Sequence, residues 1–166
     1  MTRNTWLVLA ATLASLPCAA GAQTLVTERT LSLNAAHEAA MAALEQCRKD
    51  GYRVTVTVLN RAGRTLVVLH DDGANPHTIE NSLRKAWTSL TFRTPSGDYG
   101  KRVASTPTLV GALHLDKITT LEGALPITAG REIVGSIGIS GAPGGDKDAV
   151  CAKAAIDRIA SGLTPN

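Results

Sequence analysis

Apolar and polar residues along the chain fall into segments with either helical or strand periodicity. Residues 33–51 place small side chains at helical spacing, and these form one narrow stripe: Ala36, Ala39, Ala40, Ala43 and Cys47. Such a stripe is typical of an amphipathic helix that lies close to its neighbour. Residues 78–92 show a second helical pattern, which predicts a buried face made of Ile79, Leu83, Ala86 and Leu90.

Four other segments alternate with the period of two that half-buried strands have. They are residues 53–60, 64–70, 117–128 and 131–140. Short glycine-containing turns join the first two and the last two, so each pair is predicted to form a hairpin. A helical pattern ends the chain, and the proline- and glycine-rich residues 93–107 are expected to hold at most a short helix. This order predicts a single α+β domain with an antiparallel sheet.

The first 22 residues have the pattern of a secretory signal peptide. Arg3 gives a cationic start, an apolar run follows, and Ala20 and Ala22 provide small residues before Gln23. We therefore expect residues 1–22 to be removed and residues 23–166 to form the domain. The apolar run is too short to span a bilayer, so no membrane association is expected. Export would place the protein in the periplasm or outside the cell.

The net charge argues against one class of partner, and the cysteine content predicts a disulfide. Removing residues 1–22 takes away only the charge of Arg3 and leaves a net charge of +2, which argues against a nucleic-acid partner. Cys47 and Cys151 then remain as an even pair in an oxidising compartment. Two thiols without CxxC spacing do not indicate a metal site, and a catalytic thiol would need a basic partner that sequence does not place. We predict a disulfide between them.

The glycine-rich stretch IVGSIGISGAPGGDKDAVC, residues 133–151, allows two interpretations. A phosphate-binding loop has a lysine followed by serine or threonine, whereas Lys147 stands between Asp146 and Asp148. These carboxylates would repel a phosphate. We therefore interpret Gly135 and Gly138 as positions where another backbone, or a ligand, lies close against a strand.

The histidines offer few candidates for metal binding or catalysis. His37, His70, His77 and His114 lack the spacing of metalloenzyme motifs, and His37 and His114 are predicted at the surface. A metal site made of His70, Asp71 and Asp72 is an alternative, but an acidic pair before glycine is more typical of a turn.

Residues 77–102 combine aromatic and cationic side chains. These are Trp87, Phe92 and Tyr99 together with Arg84, Lys85, Arg93, Lys101 and Arg102. A flat ligand with apolar faces and carboxylate groups would need both kinds. The composition also fits an ordinary helix that buries one face and exposes a basic one, and the residue pattern leaves both interpretations open.

Three stretches resemble a known family: DDGANPHTIENSLRKAWTSLTF, EGALPI and IVGSIGISGAPGGDKDAVCAKAAI. Together they are similar to the GlcG/HbpS-like haem-binding, or haem-degrading, proteins over about residues 30–162. The resemblance implies a profilin-like single domain with an antiparallel five-stranded sheet flanked by helices. It also implies a homo-oligomer. Ala124 stands where the family has a glycine in a GGLP turn, which requires a less permissive backbone there.

The resemblance implies haem as the first candidate cofactor. His77, beside the start of the second predicted helix, is our candidate axial ligand because a neutral imidazole binds haem iron. Arg84, Lys85 and Arg93 are the candidate partners of the haem carboxylates, and Trp87 is a candidate wall of the pocket.

We therefore predict an exported small-molecule-binding protein, with haem as its ligand. The alternatives are an enzyme or accessory protein acting on a small carboxylic acid such as a hydroxy acid, a corrinoid-binding domain, and a structural oligomer without a ligand. Any haem breakdown would follow from iron and peroxide chemistry at the cofactor. Whether a reaction is catalysed stays open at this point.

Overall fold

The computed structural model describes residues 24–164, so the predicted signal peptide, residues 1–22, lies outside the described residues. The α-helices are α1 (Leu33–Lys49), α2 (His77–Phe92), α3 (Ser96–Ser105) and α4 (Gly145–Ile159). The strands are β1 (Thr55–Asn60), β2 (Thr65–His70), β3 (Ala124–Ala129) and β4 (Glu132–Ser140). Short 3₁₀ helices cover Pro107–His114, which we call the 3₁₀ segment, and Ala160–Leu163.

The strands form one antiparallel sheet in the order β2-β1-β4-β3. The predicted α+β class, single domain and antiparallel sheet are confirmed, but the predicted five strands are wrong, because the sheet formed within residues 24–164 has four. Residues 117–123 were expected to begin a strand, yet α2 binds their backbone. The Arg84 Nη2 donates to the Ile118 carbonyl at 2.8 Å, and the Thr119 amide donates to Thr88 Oγ1 at 2.9 Å. The strand begins only at Ala124.

One face of the sheet carries the main apolar core. Val54, Val56 and Val58 of the first hairpin and Ile137 and Ile139 of β4 are fully buried there. Helices α1 and α4 cover this face side by side, and the predicted stripe of small residues on α1 is buried as expected. Because these side chains are small, α1 lies close to both the sheet and α4.

The other face of the sheet is polar and is covered by α2. Of the predicted buried face of α2, only Ala86 is fully buried: Ile79 is exposed, and Leu83 and Leu90 are only partly buried. The residues that α2 buries are Thr78, Ser82, Lys85, Ala86, Thr88 and Ser89. The sheet explains this, because Thr55, Thr57 and Ser136 face α2 and their hydroxyl groups need hydrogen-bonding partners.

Residues 93–107 contain more helix than predicted, since α3 has ten residues. Tyr99 of α3 stacks on Phe92 with the ring centroids 3.9 Å apart. Tyr99, Val103 and Ile118 form a second, smaller apolar cluster, against which Trp87 also packs.

The predicted disulfide is confirmed: Cys47 and Cys151 are bonded, with their Cα atoms 5.6 Å apart. The bond joins the end of α1 to α4 and closes a loop with a sequence separation of 104. Within residues 24–164, no helix has both the length and the apolar composition needed to cross a membrane.

Candidate ligand-binding site

The position of α2 on the sheet depends on a glycine of β4. A Cβ atom at Gly138 would press against the Ser82 carbonyl and lie 2.6 Å from the Ala86 nitrogen, so the helix backbone rests directly on the strand. The close-packing interpretation of this glycine is therefore confirmed. The close approach fixes α2 against the sheet, and residues of α2 line the two clefts described below.

Hydroxyl groups hold α2 to the sheet. Thr57 Oγ1 and Ser82 Oγ are 2.8 Å apart, and Ser136 Oγ donates to the Ala86 carbonyl at 2.8 Å. Thr55 Oγ1 makes a similar contact with Thr78 Oγ1 at 2.6 Å. This network satisfies the hydroxyl groups that are buried between α2 and the sheet.

A buried charge pair joins α2 to α4. Lys85 is 3% exposed, and its Nζ donates to Asp148 Oδ2 at 2.7 Å and to the Ile139 carbonyl at 3.0 Å. Asp148 also accepts a hydrogen bond from the Ala142 amide at 3.0 Å. Burial raises the pKa of Asp148, although the Lys85 ammonium acts in the opposite direction. The Lys85 ammonium is therefore already bound within the protein.

One cleft lies between α2 and the 3₁₀ segment, and we call it the 3₁₀ groove. Its volume is about 420 Å³. Its lining residues are Glu80, Leu83, Arg84, Leu113, His114, Leu115, Asp116 and Lys117. The groove thus combines three leucines, an imidazole, two cations and two carboxylates.

Two cationic side chains of the 3₁₀ groove, Arg84 and Lys117, also contact neighbouring residues of the protein. Arg84 bonds to the Ile118 carbonyl and lies 3.7 Å from Glu80 Oε1. Its Nε is buried and has no hydrogen-bond partner within residues 24–164. Lys117 Nζ lies 4.6 Å from the centre of the Trp87 ring, a cation–π contact.

The second cleft lies beside the glycine-rich loop, and we call it the glycine-loop cleft. Its volume is about 460 Å³. His77 and Asn81 line it together with Lys85, Leu121, Glu122, residues 140–145 and Asp148. Most of these groups are polar or are glycines, and the amide of Asn81 is already bonded to Ser140 Oγ at 2.9 Å.

The five site residues predicted from sequence lie in different places. His77 is exposed at the rim of the glycine-loop cleft, and Arg84 lines the 3₁₀ groove. Lys85 is buried against Asp148, and Trp87 packs beneath the 3₁₀ groove. Arg93 follows the last residue of α2, at the opposite end from His77. His77 and Arg93 are thus separated by the length of a 16-residue helix, about 24 Å.

His114 is the cleft residue that sequence reasoning did not select. Its predicted surface position is confirmed, since His114 is exposed, but it ends the 3₁₀ segment instead of lying beside a strand, and it lines the groove together with Arg84. The apolar residues Leu109, Leu113 and Leu115 around it were the available signal, since an imidazole among leucines is a common cofactor environment.

The alternative metal site at residues 70–72 has no support. Asp71 is bonded to Arg48, with Nη2 2.6 Å from Oδ1, and His70 Nδ1 contacts Thr55 Oγ1 at 2.6 Å. Nowhere in the described part of the chain do three or more His, Cys, Asp or Glu side chains group as metal ligands would.

Within residues 24–164, the geometry defines a class of small α+β domain. Its four-stranded sheet lies between two helical layers, and α2 lines two clefts. The chain belongs to the HbpS-like family, since the family model described as haem degrading protein HbpS-like matches residues 31–157.

Individual relatives agree with this assignment. Protein GlcG of Escherichia coli is 30% identical over 114 residues, which cover 69% of this chain and 84% of GlcG. A double mutant of Streptomyces reticuli HbpS is 40% identical with a TM-score of 0.77, over 87% of this chain and 97% of that one. PduOC, solved as a haem complex, is 25% identical with a TM-score of 0.70, over 78% of this chain and 95% of that one.

Proposed function

We propose that this protein binds haem, and that it does so in the 3₁₀ groove. The observation that carries the proposal is the groove itself, in which His114, three leucines, Arg84, Lys117 and two carboxylates surround one open volume. Membership of the HbpS-like family and the haem complex of PduOC support the choice of ligand.

The residues of the groove fit the parts of a haem. Leu83, Leu113 and Leu115 offer apolar contact to the macrocycle, and Leu115 is 58% exposed, so it has apolar surface left to bury. Arg84 and Lys117 stand at the same groove as cations for the two propionates. The buried Arg84 Nε still has a hydrogen to donate, which an acceptor on a bound ligand would satisfy.

His114 is our choice of iron ligand because it is the histidine that lines the groove. Its neutral imidazole would hold the iron, while the haem would supply any redox chemistry. His77, the ligand predicted from sequence, lies at the cleft with fewer apolar residues. Both histidines are exposed, so either can be replaced without opening a cavity in the core.

A haem titration followed by Soret absorbance tests the proposal. The wild-type protein should bind one haem per chain, and His114→Ala should shift the Soret band and weaken binding by about tenfold or more. Arg84→Gln should weaken binding by about tenfold without moving the band, since it removes a charge-assisted hydrogen bond and not an iron ligand.

His77→Ala is the matched control, because it removes an exposed imidazole that lines the glycine-loop cleft and not the 3₁₀ groove. If His77→Ala changes the Soret spectrum and His114→Ala does not, the haem site must be assigned to the glycine-loop cleft. No saturable Soret change in the wild-type protein would reject haem binding altogether.

We also propose that the protein is exported and acts in an oxidising compartment. The signal-peptide pattern of residues 1–22 supports export, and the disulfide between Cys47 and Cys151 is consistent with it. A homo-oligomer, as implied by the resemblance, stays a prediction for sedimentation measurements.

A further inference from the structure

A third cavity among residues 24–164 shares no lining residue with the two clefts described so far. Its volume is about 620 Å³, and we call it the arginine cavity. Three cations line it, each from a different part of the fold: Arg61 after β1, Arg93 after α2, and Arg131 in the turn between β3 and β4. Three arginines far apart in sequence thus line one cavity, and two of them, Arg93 and Arg131, are exposed.

The cations of the arginine cavity are not neutralised by strong ion pairs. Arg61 Nε is 3.7 Å from Glu28 and its Nη1 is 3.5 Å from Glu132, both longer than the roughly 2.7–2.9 Å of a strong charge-assisted bond. Arg93 and Arg131 make no ion pair within residues 24–164. A ligand carboxylate could therefore bind them without first displacing a partner.

Arg93 adopts a backbone conformation that glycine adopts more readily than a residue with a side chain. Its φ of 54° and ψ of 38° lie in the left-handed region, where a helix usually ends with glycine. A residue with a side chain costs the fold about 1 kcal/mol or more there. The chain keeps an arginine at this position, and its side chain lines the cavity.

Glu28 and Glu132 also line the cavity and reduce its positive charge, and the apolar lining residues favour an organic anion over an inorganic one. Leu90, Pro126 and Ile133 provide apolar surface between the cations. Phosphate or sulfate would leave that surface in water, whereas the carbon skeleton of an organic acid would cover it. Planar carboxylates also match the fork of a guanidinium group.

We propose that the arginine cavity binds a small organic acid with two or more carboxylates, independently of haem. Arg93 and Arg131 bind one carboxylate each, Arg61 turns from its distant glutamates toward the ligand, and the apolar surface contacts the carbon chain. No histidine lines the cavity, which separates it from the proposed haem site.

Isothermal titration with citrate and succinate at low ionic strength tests the proposal on the haem-free protein. Arg93→Gly and Arg131→Gln should each weaken binding by about tenfold or more. Arg93→Gly should at the same time keep or raise the thermal midpoint, because glycine fits the backbone there. Weaker binding by a more stable protein cannot come from unfolding.

Arg158→Gln is the control, because this arginine is paired with Glu45 on another part of the surface. Succinamide, the neutral analogue of succinate, should not bind. The proposal is overturned if neither acid binds, if succinamide binds equally well, or if Arg158→Gln weakens binding as much as Arg93→Gly does. Haem titrations should be unchanged by saturating citrate, so failure of one site does not decide the other.

Discussion

Asp71 and Arg48 form a charge pair whose two members differ in exposure. The Asp71 side chain is 2% exposed, whereas that of Arg48 is 47% exposed. Two nitrogens of Arg48 bond to the carboxylate, with Nη2 2.6 Å from Oδ1 and Nε 3.1 Å from Oδ2. These hydrogen bonds lower the pKa of Asp71 more than its burial raises it. The pair fastens the end of α1 to the loop that precedes α2.

The lowered pKa of Asp71 makes the stability of the folded chain depend on pH. Because the pKa of Asp71 is lower in the folded than in the unfolded chain, the unfolded chain binds more protons in acid. The stabilisation is present above the ordinary aspartate pKa of about 3.9 and is lost as the pH falls through the folded value. Asp71→Asn should therefore lower the urea midpoint at pH 7, and its difference from wild type should shrink below about pH 4.

Urea unfolding followed by circular dichroism at several pH values measures this difference. Asp116→Asn is the control, since that carboxylate is 89% exposed and should leave the midpoint unchanged. A gap between Asp71→Asn and wild type that stays constant from pH 7 to about pH 3 would contradict the assignment.

Single residues also mark what sequence could and could not predict. Cys47 and Cys151 were paired correctly, because they are the two cysteines left once the predicted signal peptide is set aside. Lys85 was assigned to a ligand because nothing near it in sequence shows that Asp148 binds it. Their pairing depends on how the fold brings together residues 63 positions apart.

At the scale of elements, α2 and α4 are coupled through Lys85 and Asp148. Both side chains are almost completely buried, at 4% and 3% exposure. Removing one partner leaves the other charge without compensation in a medium of low polarity, which typically costs about 3–5 kcal/mol.

Lys85→Met should therefore lower the free energy of unfolding by about 3–5 kcal/mol. The double variant Lys85→Met with Asp148→Leu should be more stable than Lys85→Met alone, because no charge is then left buried. Lys153→Met is the matched control, since Lys153 pairs with Asp157 at the surface and should cost at most about 1 kcal/mol. Equal losses in Lys85→Met and Lys153→Met, measured by urea unfolding, would refute the coupling.

The helices differ in how well their packing could be predicted. The buried stripe of α1 consists of small apolar residues, so hydrophobic periodicity located it correctly. The buried face of α2 is mostly hydroxyl-bearing, and periodicity selected Ile79 and Leu90 in its place. Hydrophobic patterns identify a face that contacts an apolar surface, and the surface beneath α2 is polar.

At the scale of the whole molecule, the order of elements was predictable, but the grooves were not. Alternation and glycine turns located both hairpins, and the order of helices and strands gave the α+β class. The 3₁₀ groove depends on residues 107–117 folding back against α2, and the arginine cavity depends on three separate turns meeting. Neither arrangement has a local pattern in the chain.

The disulfide acts on the whole domain, because it closes a loop of 104 residues that contains all four strands. In the chain-entropy account, such a loop stabilises the folded state by about 4–5 kcal/mol. Reduction of the purified protein should therefore lower its free energy of unfolding by up to this amount. The variant with both Cys47→Ala and Cys151→Ala is the control, and reductant should not change its stability.

Export and oxidation can be measured on the same protein preparation. Protein recovered from the exported fraction should begin at Gln23 by mass, and after unfolding without reductant it should contain no reactive thiol. Retention of residues 1–22 would keep Cys18 and add one thiol per chain. A mass that includes residues 1–22 would reject the cleavage site, whereas two reactive thiols in a chain that begins at Gln23 would reject the disulfide and leave export standing.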